Sequence, residues 1–232
     1  VGRVGANSYN GALVCNGTEQ NPIVMTSGPG DTTHWAGVYM DYPTDDSRTR
    51  LTHCHISRTA GGAVYVRDGV TPTIEDCEFR DNAGYPISIH CNNASRISGN
   101  SGTGNGQGDM IYLRPGNVST TQTWHANAMP YLAGASLEVH GPANQPDKAV
   151  SLTIEAGTEI RFPLAAGLSV GKVFPNNQGL GYGSLVCAGL YDSEIKLDCI
   201  PLSGQRWEGV SLIDLTGLRE SDITHTRIQN CH

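Results

Sequence analysis

Charge is scarce in this 232-residue chain: Asp, Glu, Lys and Arg make up 16% of it, and aromatic residues only 6%. So few charges argue against a mainly helical protein, whose solvent faces need them. The formal net charge of −7 leaves too few cations to neutralise phosphates, so no nucleic-acid partner is expected. No run approaches the roughly 18 to 20 apolar residues of a membrane helix, and no membrane span is expected. None of the seven cysteines forms a CxxC pair, which removes the zinc ribbon, and their odd number leaves at least one thiol unpaired. GxSxG, Walker and HExxH signatures are absent. What is abundant is turn-forming residue, with 29 Gly and 12 Pro, and this turns the reading toward β structure.

Self-similarity organises the chain. Residues 11–60 match residues 183–232 at a constant offset of 172: GALVCNG returns as GSLVCAG, Trp35-Ala36-Gly37-Val38 as Trp207-Glu208-Gly209-Val210, and Thr52-His53 as Thr224-His225. Ile23 falls on Ile195, Pro29 on Pro201 and Ile56 on Ile228. A shorter period lies beneath. Apolar pairs two residues apart, the spacing that points both side chains to one face of a strand, recur at Leu13/Cys15, Val38/Met40, Val64/Val66, Ile87/Ile89, Met110/Tyr112, Leu137/Val139, Ile160/Phe162, Leu185/Cys187 and Val210/Leu212, separated by 23 to 27 residues. A second apolar strand falls between most of them, and residues 113–135 lack a clear one. This predicts an all-β fold, a parallel β-solenoid of about nine to ten coils covering residues 1–232 as one domain.

The segments PTIEDCEFRDNAGYPISIH (72–90) and SLTIEAGTEIRF (151–162), with Asn82 and Asn105 one period apart, resemble the right-handed parallel β-helix superfamily. That superfamily includes pectate-lyase-like enzymes and the repeat proteins of bacterial surfaces. The resemblance implies the fold and leaves function open, since the fold serves lyases, hydrolases, adhesins and phage spikes alike. A β-helix lyase uses a basic residue beside calcium-binding acids, and here the cations are dispersed, so no catalytic residue is carried over.

Four side chains form the candidate metal set. Cys54 and Cys77, 23 residues apart, read as stacked core thiols, which leaves His53 and His55 on one coil opposite Asp76 and Glu78 on the next. These four make either a small external divalent-cation site or two cross-strand charge pairs. No other cofactor is expected. Arg58 and Asp81, also 23 apart, read as a surface pair. Trp124 and Tyr131, in the irregular segment, are the candidate carbohydrate platform, whereas the repeated Trp35 and Trp207 read as covers at a coil corner. Asp41, Asp45 and Asp46 make one acidic turn.

Two functions follow. The first is a non-enzymatic, secreted or cell-surface scaffold, adhesin or filament module, a window on a longer array that self-associates by end-to-end stacking or continues into adjoining repeats. The alternative is a polysaccharide-active enzyme or a carbohydrate-binding β-helix with a groove bordered by residues 41–49 and 113–135.

Overall fold

The computed structural model describes residues 11–28, 34–41, 47–176, 178–200, 206–213 and 220–231. Asp45, Asp46, Pro29, Pro201 and the first ten residues lie outside the described residues. Two compact units are present, Val1–Leu113 with Asn127–Pro130 and Arg114–Ala126 with Tyr131–His232.

In chain order the first run of strands is β1 (Val14–Asn16), β2 (Ile23–Met25), β3 (Val38–Met40), β4 (Arg50–Thr52), β5 (Cys54–Ser57), β6 (Val64–Val66), β7 (Thr73–Glu75), β8 (Glu78–Arg80), β9 (Ile87–His90), β10 (Ile97–Ser98), β11 (Ser101–Thr103) and β12 (Ile111–Arg114). They form three parallel ladders, β1-β4-β7-β10, β2-β5-β8-β11 and β3-β6-β9-β12. Alternation of apolar and polar residues over three or four positions makes each strand half-buried, and the same alternation sets the register between coils. Cys15, Leu51, Ile74 and Ile97 therefore stand in one buried column, and Val38, Val64 and Ile87 in another. Each buried aliphatic contributes on the order of 1.5 to 3 kcal/mol.

One rung corrects the expected register. Met110 and Tyr112 are not the inward pair; Ile111 and Leu113 are, both fully buried. The coil from Ile87 to Ile111 is one residue longer than the 23-residue spacing allows, and a shift of one residue moves every side chain of a strand to its opposite face.

Single residues in the left-handed region make the corners between strands. His53, Asp76 and Gly99 occupy one corner with φ of 47°, 51° and 66°, and Arg58, Asp81 and Gly104 a second with 58°, 52° and 72°. Glycine suits the third coil of the first corner for a further reason: a Cβ on Gly99 would collide with Oδ1 of Asp76.

Polar ladders run inside these corners. The Thr59 hydroxyl donates to Oδ1 of Asn82 at 2.9 Å, Nδ2 of Asn82 to Oδ1 of Asn105 at 2.9 Å, and Nδ2 of Asn105 to Oδ1 of Asp109 at 2.6 Å. The second ladder begins in sulfur. Cys54 N–H donates to Sγ of Cys77 at 3.4 Å, Cys77 N–H to Oδ1 of Asn100 at 3.0 Å, and Nδ2 of Asn100 to Oδ1 of Asn127 at 2.9 Å. The core thiols expected at 54 and 77 are thus buried and free, and they also stand where the neighbouring coils use asparagine.

The remaining strands are β13 (Gly116–Val118), β14 (Gln122–Trp124), β15 (Tyr131–Ala133), β16 (Leu137–Val139), β17 (Val150–Glu155), β18 (Glu159–Phe162), β19 (Gly167–Val170), β20 (Lys172–Phe174), β21 (Gly179–Gly181), β22 (Gly183–Ala188), β23 (Ile195–Cys199), β24 (Gly209–Leu212), β25 (Asp222–Thr224) and β26 (Thr226–Ile228). Their ladders are β13-β16-β19-β24, β14-β17-β22-β25 and β15-β18-β23-β26, with β20 and β21 as an antiparallel excursion. The strand that the sequence hides between 113 and 135 is β14, whose buried residues are Gln122 and Trp124 instead of aliphatics; they pair with Leu152 and Ile154.

The 172-residue repeat is reproduced in its strand pairing. Cys15 pairs with Leu51 as Cys187 pairs with Ile223, and Ile23 with Cys54 as Ile195 with Thr226. Nε1 of Trp35 donates to the Ser57 carbonyl at 2.8 Å, and Nε1 of Trp207 to the Gln229 carbonyl at 2.7 Å. Both tryptophans fix a corner of their coil, as expected of covers. His225 repeats the left-handed bend of His53 with φ of 40°.

Candidate functional site

Outward residues of the β3-β6-β9-β12 ladder build the candidate site. Val38, Val64 and Ile87 point into the core, so their successors Tyr39, Tyr65 and Ser88 point out, with Tyr39 paired to Tyr65 and Tyr65 to Ser88. Tyr39 and Tyr65 keep 54% and 39% of their surface in solvent. On β12 the outward position between buried Ile111 and Leu113 is Tyr112. Tyr85 leads into β9 and stacks flat on Tyr112, ring centroids 4.9 Å apart and planes inclined by 6°. Tyr39 and Tyr65 form a looser pair, 5.8 Å apart and tilted by 34°.

Between the two pairs lies a groove of about 390 Å³ lined by Tyr39, Gly62, Val64, Tyr65, Tyr85, Ser88, Gln107 and Tyr112. Small residues, Gly62 and Ser88, leave room that a larger side chain would fill. Among the described residues every lining side chain is uncharged. Burial, and then the neighbouring Tyr112, push the Tyr85 phenol above its ordinary value, so it stays a protonated donor at neutral pH. Just past the ends of β3 and β6, Asp41 and Arg67 neutralise each other at 2.6 Å. The groove therefore offers apolar ring surface together with hydroxyl and amide groups that donate and accept hydrogen bonds. Such surfaces take ligands with one apolar face and a polar rim.

The expected platform of Trp124 and Tyr131 is corrected. Both rings are fully buried, 5.8 Å apart, and the Tyr131 hydroxyl donates to the His125 carbonyl at 3.0 Å. They fill the core of the second unit because β14 carries Trp124 inward and β15 carries Tyr131 inward, and neither offers a face to a ligand.

The four candidate metal ligands do not converge either. Nε2 of His53 stands 3.8 Å from Asp76, and Nε2 of His55 stands 3.6 Å from Glu78, which also pairs with Arg80. Among the described residues no group of three or more His, Cys, Asp or Glu is close enough to hold a metal ion. The left-handed corner puts His53 in the bend and His55 on the following strand, so each meets its own partner on the next coil and the geometry is that of two cross-coil pairs. Exposed pairs of this kind contribute about 0 to 1 kcal/mol.

A third polar cluster escaped the sequence. In the second unit Glu138 takes a hydrogen bond from Nζ of Lys172 at 2.6 Å and lies 3.4 Å from Nε2 of buried His140, whose ring meets the edge of Phe174 at 5.3 Å. Burial opposes ionisation of Glu138, but Lys172 and then His140 outweigh it and hold the carboxyl below its ordinary value. The cluster ties β20 to β16, a structural role.

The tyrosines were legible in principle. Val38-Tyr39-Met40, Val64-Tyr65-Val66 and Ile111-Tyr112-Leu113 repeat one triplet of apolar, Tyr, apolar. With Met110 and Tyr112 as the inward pair, the third tyrosine falls in the core and the triplet does not stand out.

Residues 36–129, which include all four tyrosines, match the family model of the right handed beta helix region. No curated protein and no solved structure matches the chain. No helix among the described residues is long and apolar enough to cross a membrane. With the parallel ladders of both units, the family match identifies the fold as a right-handed parallel β-helix.

Proposed function

We propose that the chain is a non-enzymatic, extracellular β-helix scaffold that binds carbohydrate through the groove of Tyr39, Tyr65, Tyr85 and Tyr112. A right-handed β-helix suits a solenoid scaffold or a polysaccharide-related role. The observation that carries the finer reading is the outward tyrosine array itself. Stacked aromatic rings at a surface withhold apolar area from the core, so the fold gains little from them. The internal repeat makes the same point. At the position of Tyr39 the second copy carries Ser211, while Trp35 and Trp207, which do build the coil, are kept. The tyrosine is therefore dispensable for the shared backbone.

The non-enzymatic part of the reading is supported by the groove's lining, which among the described residues offers no carboxylate, histidine or cation to move a proton at a glycosidic bond. The test is an oligosaccharide array followed by calorimetry. Binding is expected, weakened at least about tenfold by Tyr65→Ala or Tyr112→Ala, with no new reducing or unsaturated ends after long incubation. Tenfold corresponds to about 1.4 kcal/mol. Binding to no saccharide at all would overturn the reading, and released ends would overturn its non-enzymatic half.

Scaffold assembly is the other part of this reading. β24, β25 and β26 stand at the ends of their ladders among the described strands, and Leu212, Ile223 and Ile228 are exposed there, whereas their repeat mates Met40, Leu51 and Ile56 are buried beneath the following coil. Copies of the chain stacking on these strands, or adjoining repeats of a longer chain, would bury them. Sedimentation across a hundredfold concentration range tests this, with association expected and weakened by Ile223→Lys.

A further inference from the structure

We infer that the groove selects an uncharged saccharide chain and rejects polyuronates, an inference that rests on the carbohydrate reading above and specifies its ligand class. A uronate carries one carboxylate per sugar. To bind it in place of water, a site must supply a cation or several N–H donors aimed at each carboxylate. Among the described residues the groove supplies no cation and one side-chain N–H donor group, the Gln107 amide. Its side-chain polar groups are four phenols, the Ser88 hydroxyl and the Gln107 amide.

The flanks do not make up the deficit. Arg67, the cation two residues beyond Tyr65, pairs with Asp41 at 2.6 Å, so the two charges offset each other beside the groove. Asp68 follows it in sequence and adds negative charge to the same coil. At long range the net charge of −7 repels a polyanion before contact. By contrast, an uncharged pyranose brings C–H faces to the rings of Tyr39, Tyr65, Tyr85 and Tyr112 and hydroxyls to the phenols, Ser88 and Gln107. These partners match one another without any buried unpaired charge.

The experiment uses the full chain against an array that holds neutral hexasaccharides (glucans, mannans, galactans, xylans) beside hexagalacturonate and hexaguluronate, followed by calorimetry of the hits at low and high salt. Tyr39→Ser and Tyr112→Ala are run in parallel. The first is tolerated by the backbone, since the second copy carries serine at that position. Circular dichroism checks that both variants are folded.

At least one neutral chain is expected to bind, with affinity unchanged between 20 and 500 mM salt and reduced about tenfold or more in the variants; uronates bind at least tenfold more weakly. Uronate binding of equal or greater strength that falls with salt and is lost in the variants would sink this inference and leave the carbohydrate reading standing. Failure of every saccharide would remove both.

Discussion

Tyr85 and Tyr112 lie on successive coils with their rings flat against one another at 4.9 Å, the spacing of the strands that carry the coils. The stack costs Tyr85 some of its solvation and borders the groove that Tyr65 also lines. The pair should also couple energetically. A double-mutant cycle of Tyr85→Ala and Tyr112→Ala in urea is expected to give a coupling of about 0.5 to 1.5 kcal/mol. A value near zero would mean that the rings are neighbours without holding each other in place.

The sulfur half of the inner ladder makes a second prediction. Sγ of Cys77 accepts from Cys54 N–H and lies 3.4 Å from the Leu51 carbonyl, as the side chain of Asn100 accepts from Cys77 N–H and donates to the Ile74 carbonyl at 2.9 Å. Cys77→Asn keeps both contacts and should leave stability within about 1 kcal/mol. Cys77→Val strands a buried N–H and should cost about 1 to 3 kcal/mol. Equal losses in the two variants, measured by equilibrium unfolding, would show that the thiol acts only as a small apolar side chain.

Reactivity follows from the same burial. Hydrogen bonding with Cys54 and desolvation keep the Cys77 thiol protonated, and desolvation pushes Cys91 up to about 12 and Cys187 up to about 11. Of the seven cysteines only Cys231 is not buried. A thiol reagent at pH 8 should therefore modify Cys231 in the folded chain and the other six only on unfolding. Rapid labelling of Cys54 or Cys77 in the native chain, detected by peptide mass, would contradict the packing.

The repeat permits a comparison within one molecule. Leu51 is fully buried, while Ile223, its mate at an offset of 172, keeps 39% of its surface in solvent. Leu51→Ala should cost about 2 to 5 kcal/mol, and Ile223→Ala less than about 1 kcal/mol. Similar losses by urea titration would mean that β25 is covered in solution.

Acid should loosen the second unit through Glu138. Its folded carboxyl titrates below the ordinary value of 4.5 because Lys172 and His140 outweigh burial. The unfolded chain then binds the proton more readily, so the contribution is fully present above that ordinary value and is lost as pH falls through the lower folded one. The melting midpoint should fall on acidification below about pH 4.5, and Glu138→Gln should flatten part of that slope. An unchanged slope in the variant would assign the acid sensitivity to other groups.

The columns of the solenoid were legible because inward apolar residues recur two apart and the 172-residue offset holds them in phase. Cys54, Cys77, Trp35 and Trp207 could be placed on that basis alone. The site was not, and the reasons are physical. A coil one residue longer put Tyr112 on the wrong face, and a strand built from Gln122 and Trp124 has no aliphatic alternation to mark it, so Trp124 and Tyr131 read as surface. The polar ladder was seen at Asn82 and Asn105 but not at Cys77, because a thiol reads as apolar while its sulfur accepts a backbone hydrogen bond.

The direct test of the tyrosine groove is a titration of a bound neutral hexasaccharide into protein whose tyrosine rings are ¹³C-labelled. Ring resonances of Tyr39, Tyr65, Tyr85 and Tyr112 should shift together and saturate with one affinity, while Tyr131, Tyr182 and Tyr191 stay in place. Shifts confined to Tyr191, or saturation with the four groove tyrosines unmoved, would contradict the account.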